Sequence, residues 1–163
     1  MMKELLYNLI RKHKYSISIY TEEIFERRCQ EEIIRSDEDN SSFVYLEFDF
    51  ESLKKDLPDE DDFMQFWNSL FAVLSSGSRG SDIVGFLEHE SGLGMLLLDS
   101  KLDGWGRIKG RIEQKTSSNL EKVKDVLDKT IKPILYPACI QNVPAPESAA
   151  VELWLNNLTP KKF

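Results

Sequence analysis

Three observations on the 163-residue sequence predict an α+β fold with an antiparallel sheet at its centre. Phe43 to Phe50, FVYLEFDF, alternates Val44, Leu46, Phe48 and Phe50 with Phe43, Tyr45, Glu47 and Asp49, the period-2 signature of a strand. Two apolar runs, Ile83 to Leu87 and Leu93 to Leu98, flank the polar bend Glu88-His89-Glu90-Ser91-Gly92, which predicts a β-hairpin with a five-residue loop. Segments of helical period lie between and after these strands. The resulting order, β-α-β-β-α-β after an initial helix, is the split βαβ or ferredoxin-like plan, with helices packed on one face of the sheet.

The remaining elements follow in chain order. Residues 1–12 place Leu5, Leu6, Leu9 and Ile10 on one side of a short helix, and Arg11, Lys12, His13 and Lys14 form a basic patch behind it. Thr21 is a good N-cap, with Glu22 and Glu23 in the first turn, where the helix dipole favours acids. Ile24, Phe25, Cys29 and Ile33 then recur at helical spacing to an end near Ser36, and SDEDNSS, residues 36–42, reads as a polar loop. Asp59 to Asp62 supplies an acidic first turn for a helix carrying Phe63, Phe66, Trp67, Leu70, Phe71 and Leu74 at the i, i+3, i+4, i+7 positions. SSGSRGS, residues 75–81, closes that helix as a flexible connector without P-loop spacing. Asp99 to Asp103 makes a turn, and Trp105, Ile108 and Ile112 mark a helix that Gly104, Gly106 and Gly110 weaken. Leu120 to Leu127 is helical, and Ile131 to Ile140 is extended, with Pro133 and Pro137 pointing to an edge strand. Residues 147–158 read as a final short helix and PKKF as a frayed end.

Composition narrows the function classes. A net charge of −7 and a pI near 5.0 disfavour nucleic-acid binding and an anionic membrane surface, because both need a basic face. Cys29 and Cys139 have no CxxC spacing, so neither a disulfide framework nor a zinc knuckle is expected. With no 18-residue apolar run and no apolar signal region, a cytoplasmic protein without membrane insertion is expected. Neither cysteine has a base beside it in sequence, and nucleophilic catalysis finds no support. Trp67 and Trp105 lie on apolar helix stripes and are assigned to the core.

On this topology the central segment resembles the GGDEF family of diguanylate cyclase domains, a relative of the nucleotide-cyclase palm, over residues 20–143. In that family a strand ending in D-x-D-x-F-K is followed by a helix, then R-x-x-D, five residues and the tip G-G-D/E-E-F. DFESLKK, from Asp49 to Lys55, is similar to the first text, and RGSD, from Arg79 to Asp82, to the second. Ile83 to Leu87 separates it from the tip. The resemblance implies residues 1–20 as an N-terminal helical segment and 21–163 as one GGDEF-like domain.

The family's reaction uses two divalent cations held by carboxylates from the strand and the tip. Asp49 matches the first carboxylate, and Asp49 with Glu51 is the candidate residual metal site. At the tip Glu88 and His89 replace the paired glycines, while Glu90, Ser91 and Gly92 stand where the acid pair and Phe belong. The family's guanine-recognising text has no counterpart between Asp56 and Phe63, and its C-terminal lysine-rich text is also unmatched. The resemblance therefore implies a degenerate, non-enzymatic domain in bacterial signalling with no cofactor, Mg²⁺ entering only if the residual site works. Its partner would be an unidentified protein or a second copy.

Arg79 and Asp82 retain the family's R-x-x-D product site, which implies a candidate cyclic di-GMP site; a local ion pair that closes the strand start would use the same two residues. The same fold would also serve a divergent metal-dependent nucleotidyl cyclase, or a structural module that dimerises through its sheet or N-terminal helix. His89, between Glu88 and Glu90, is expected to point away from both in an extended, solvated tip.

Overall fold

The computed structural model of the protein describes residues 2–77 and 82–137. Its helices are α1 (Met2–His13), α2 (Glu22–Asp39), α3 (Phe50–Asp56), α4 (Glu60–Gly77), α5 (Leu102–Lys115) and α6 (Leu120–Asp125). Its strands are β1 (Ile19–Tyr20), β2 (Phe43–Asp49), β3 (Ile83–Phe86), β4 (Gly92–Leu98) and β5 (Ile134–Tyr136). A 3₁₀ turn at Glu88–Glu90 joins the hairpin strands, and a π turn at Val126–Thr130 follows α6.

The strands form one sheet in the order β1-β3-β4-β2-β5. Strand β2 runs antiparallel to β4 from Phe43↔Leu98 to Asp49↔Gly92, and β3 runs antiparallel to β4 from Ile83↔Leu96 to Phe86↔Leu93. With β5 antiparallel to β2, these four strands have the order and directions of the split βαβ plan. Strand β1 adds a parallel pairing to β3, Ile19↔Val84 and Tyr20↔Gly85, so the sheet is mixed. Two residues are too few to show an alternation, which is why β1 has no sequence signature.

Both faces of the sheet are covered, against the expectation of helices on one. Val44, Leu46, Phe48, Val84, Phe86, Leu93, Met95 and Leu97 meet the main core, to which α1, α3, α4, α5 and α6 contribute. Phe43, Tyr45, Ile83, Leu96, Leu98 and Tyr136 face the other way, against Phe25, Cys29 and Ile33 of α2. Every residue of β4 is buried, as its unbroken GLGMLLL text requires of a strand covered twice. Trp67 anchors the larger core, with its ring 5.3–6.2 Å from those of Phe48, Phe50, Phe63, Phe66 and Phe71. Trp105 meets Phe48 at 6.3 Å, so both tryptophans are core residues as expected.

Several boundaries move. Helix α2 continues to Asp39 because Ser36 is buried and its hydroxyl donates to the Ser41 carbonyl; the left-handed Asn40 (φ 56°) then ends it. Phe50 opens α3, a helix the sequence reading did not anticipate, whose Phe50 and Leu53 are buried together with Leu57. Helix α5 persists through its glycines because Trp105 and Ile112 are buried. Strand β5 is an edge strand, as expected. The expected helix over 147–158, Cys139 and the PKKF end lie outside the described residues.

Candidate functional site

The register of β2 on β4 sets Asp49 opposite Gly92, so the end of the first strand lies beside the hairpin tip. The Phe50 amide donates to the Ser91 carbonyl at 3.0 Å and locks the two together. Asp49, Phe50 and Glu51 from the β2–α3 junction and His89, Glu90 and Ser91 from the tip line one cleft of about 370 Å³. Met2 and Lys3 of α1 complete its wall. The structure therefore gathers Asp49 and Glu51, the two residues singled out for a metal, with Glu90.

Asp49, Ser91 and Glu90 in this cleft already have local tasks. The Asp49 carboxylate caps α3, accepting the Ser52 amide at 2.8 Å. The Ser91 hydroxyl turns back and donates to the Glu88 carbonyl at 2.8 Å. Lys3 Nζ donates to Glu90 Oε2 at 3.3 Å and lies 5.6 Å from the centre of the Phe86 ring. Among the described residues, no three His, Cys, Asp or Glu side chains are grouped so that they could hold a metal ion.

The tip itself is a tight 3₁₀ turn, with left-handed backbone at His89 (φ 58°) and Glu90 (φ 53°). Alternation does not apply to such a turn, and His89 Nε2 lies 3.5 Å from Glu88 Oε1 instead of pointing away from it. The His89 side chain is solvated, as expected for a tip. Its backbone amide donates to Glu22 Oε1 at 3.1 Å, which ties the tip to the first turn of α2.

A second cleft, of about 160 Å³, lies at the other end of the hairpin. Asp82, at the start of β3, lines it with Arg107 and Arg111 of α5, together with Ser100 and Gly104. Arg107 also reaches Asp103 at 3.3 Å. Arg79 lies outside the described residues. Sequence reasoning missed Arg107 and Arg111, although their i, i+4 spacing sets both on one helix face.

Cys29 is buried under α2, and burial first, then the nearby Glu26, Glu32 and Glu47, pushes its thiol far above the ordinary cysteine range. It carries no thiolate chemistry near neutral pH. Among the described residues no helix is long and apolar enough to cross a membrane.

No family model and no curated protein matches the chain. Solved structures similar to it include diguanylate cyclases and GGDEF domains. The GGDEF domain of PA1120 (YfiN or TpbB) from Pseudomonas aeruginosa is 22% identical over 74% of this chain and 78% of that chain, with a TM-score of 0.47. A DGC protein from Thermotoga maritima is 15% identical over 84% of this chain and 94% of that one, with a TM-score of 0.45. Diguanylate cyclase SiaD from Pseudomonas aeruginosa, solved in complex with its activator SiaC, is 20% identical over 70% of this chain, with a TM-score of 0.42. The chain spans 46% of the length of that SiaD chain.

Proposed function

We propose that this chain is a GGDEF-like domain that turns over no nucleotide and serves as a regulatory or protein-interaction module in bacterial signalling. The observation that carries this reading is the tip. Where a two-metal reaction needs a pair of acids, Glu90 stands with Ser91, whose hydroxyl is spent on the Glu88 carbonyl. Across the cleft Asp49 holds the Ser52 amide, so the donor set does not fit a pair of divalent cations. On this reading the protein uses no Mg²⁺ and needs no cofactor.

The test is incubation of the full chain with GTP or ATP and Mg²⁺ or Mn²⁺, followed by chromatography. No cyclic or linear dinucleotide is expected. Turnover that disappears in Asp49→Asn, a variant that keeps the helix cap, would overturn the proposal.

A second reading is favoured by the cleft at Asp82. An aspartate beside two arginines on one helix face brings a carboxylate and guanidinium groups together, chemistry suited to a cyclic di-GMP receptor, and Arg79 is the other residue of the R-x-x-D text in the sequence. A volume of about 160 Å³ suits one anionic group, with the rest of the dinucleotide lying on the surface. Calorimetric titration with cyclic di-GMP decides it: heat lost in Arg79→Ala and Arg111→Ala supports the receptor, and no heat at high micromolar ligand sinks it.

A further inference from the structure

The cleft between β2 and the hairpin tip contains a cation of its own. Lys3 Nζ is 3.3 Å from Glu90 Oε2, and the Phe86 ring face lies on another side of the ammonium. The helix that delivers it is anchored: Leu6 and Leu9 of α1 are 0% and 8% exposed within the main core. The tip is anchored as well, through the His89 amide held by Glu22. Two fixed elements thus bring one ammonium to the tip carboxylate that shares the cleft with Asp49 and Glu51.

The geometry points to Lys3 as the resident counter-ion of this cleft, an ammonium built into the chain that pairs with Glu90 at the cleft surface and keeps divalent cations out. This rests on the reading that the cleft performs no metal chemistry, and it adds to the ill-fitting donor set a second obstacle in α1, ahead of the segment that resembles cyclases. A divalent cation bound to Glu90 would sit roughly 2 Å from the carboxylate oxygen. It would then lie within roughly 5 Å of the ammonium. Repulsion between a dication and a monocation at that range weakens binding about tenfold even in a water-like dielectric. Being part of the chain, the ammonium competes at a high effective concentration that no dilution lowers.

The experiment titrates Mn²⁺ into the full chain and reads paramagnetic broadening of the backbone amides of residues 49, 51 and 90. Lys3→Met is expected to broaden at Mn²⁺ concentrations about tenfold lower than the wild-type chain. Lys3→Arg keeps the charge and is expected to match the wild type, while Lys3→Met combined with Glu90→Gln loses the gain. Lys3→Gln serves the same comparison if Lys3→Met does not fold. Equal Mn²⁺ sensitivity of the wild type and the neutral variant, or no broadening in either, overturns the inference. Nucleotide turnover by the wild type would instead sink the proposed function, so the two failures are distinct.

Discussion

Phe25 lies across Gly85 and Gly94, which face each other in the β3–β4 register. A Cβ at Gly85 would stand 2.4 Å from the Phe25 Cβ, and one at Gly94 2.4 Å from its Cε2. Both glycines are seats for one aromatic ring, and the ring covers backbone that has no side chain of its own. Gly94→Ala is therefore expected to destabilise the protein by about 1–3 kcal/mol in urea unfolding. Combined with Phe25→Ala, the cost should fall short of the sum of the two single changes, because the clash with the ring is relieved and only the Leu87 contact remains. The buried thiol of Cys29 gives a pH prediction. Its pKa is higher folded than unfolded, so its contribution is complete below the unfolded value of about 8.5 and is lost as pH rises above it. Between pH 8 and 10 the wild-type urea midpoint should fall more steeply than that of Cys29→Ala.

At the scale of elements, the β2–α3 junction shows how one residue ends a strand and starts a helix. Asp49 closes the β2–β4 ladder opposite Gly92 and at once caps α3. Asp49→Ala is expected to cost about 1 kcal/mol and Asp49→Asn only a few tenths, measured by urea or thermal unfolding, since asparagine caps as well as aspartate. Helix α3 was legible in principle, because Phe50, Leu53 and Leu57 have helical spacing and all three are buried. The continuation of FVYLEFDF to Phe50 hid it, as that residue fits the strand alternation and the helix stripe equally. The bend at the tip was legible, but the direction of His89 was not, for a related reason: alternation does not extend into Glu88–Glu90, where left-handed residues reverse the chain.

For the whole molecule, the sheet order was readable from the order of apolar runs and the hairpin, because a split βαβ plan leaves few ways to pair four strands. The second helix layer was foreshadowed by the unbroken apolar text of β4 and by Phe43 and Tyr45 on the face away from Val44 and Leu46. The placement of α1 and of the α5 arginines was not readable, since both depend on contacts far apart in sequence: residue 3 with 90, and 82 with 107 and 111. Leu6 ties α1 into the main core at 0% exposure. Leu6→Ala is expected to lower stability by about 2–5 kcal/mol in urea unfolding, whereas an appended helix would give almost no change.

The ends of the sheet bear on how copies of the chain can meet. One margin is β1, two residues long, and the other is β5, three residues long. A neighbour adding itself as a further strand would find only a few open amides and carbonyls at either margin, among the described residues. Short margins of this kind are a common protection against runaway ladder growth. Among the described residues, the backbone therefore offers little for assembly by sheet extension.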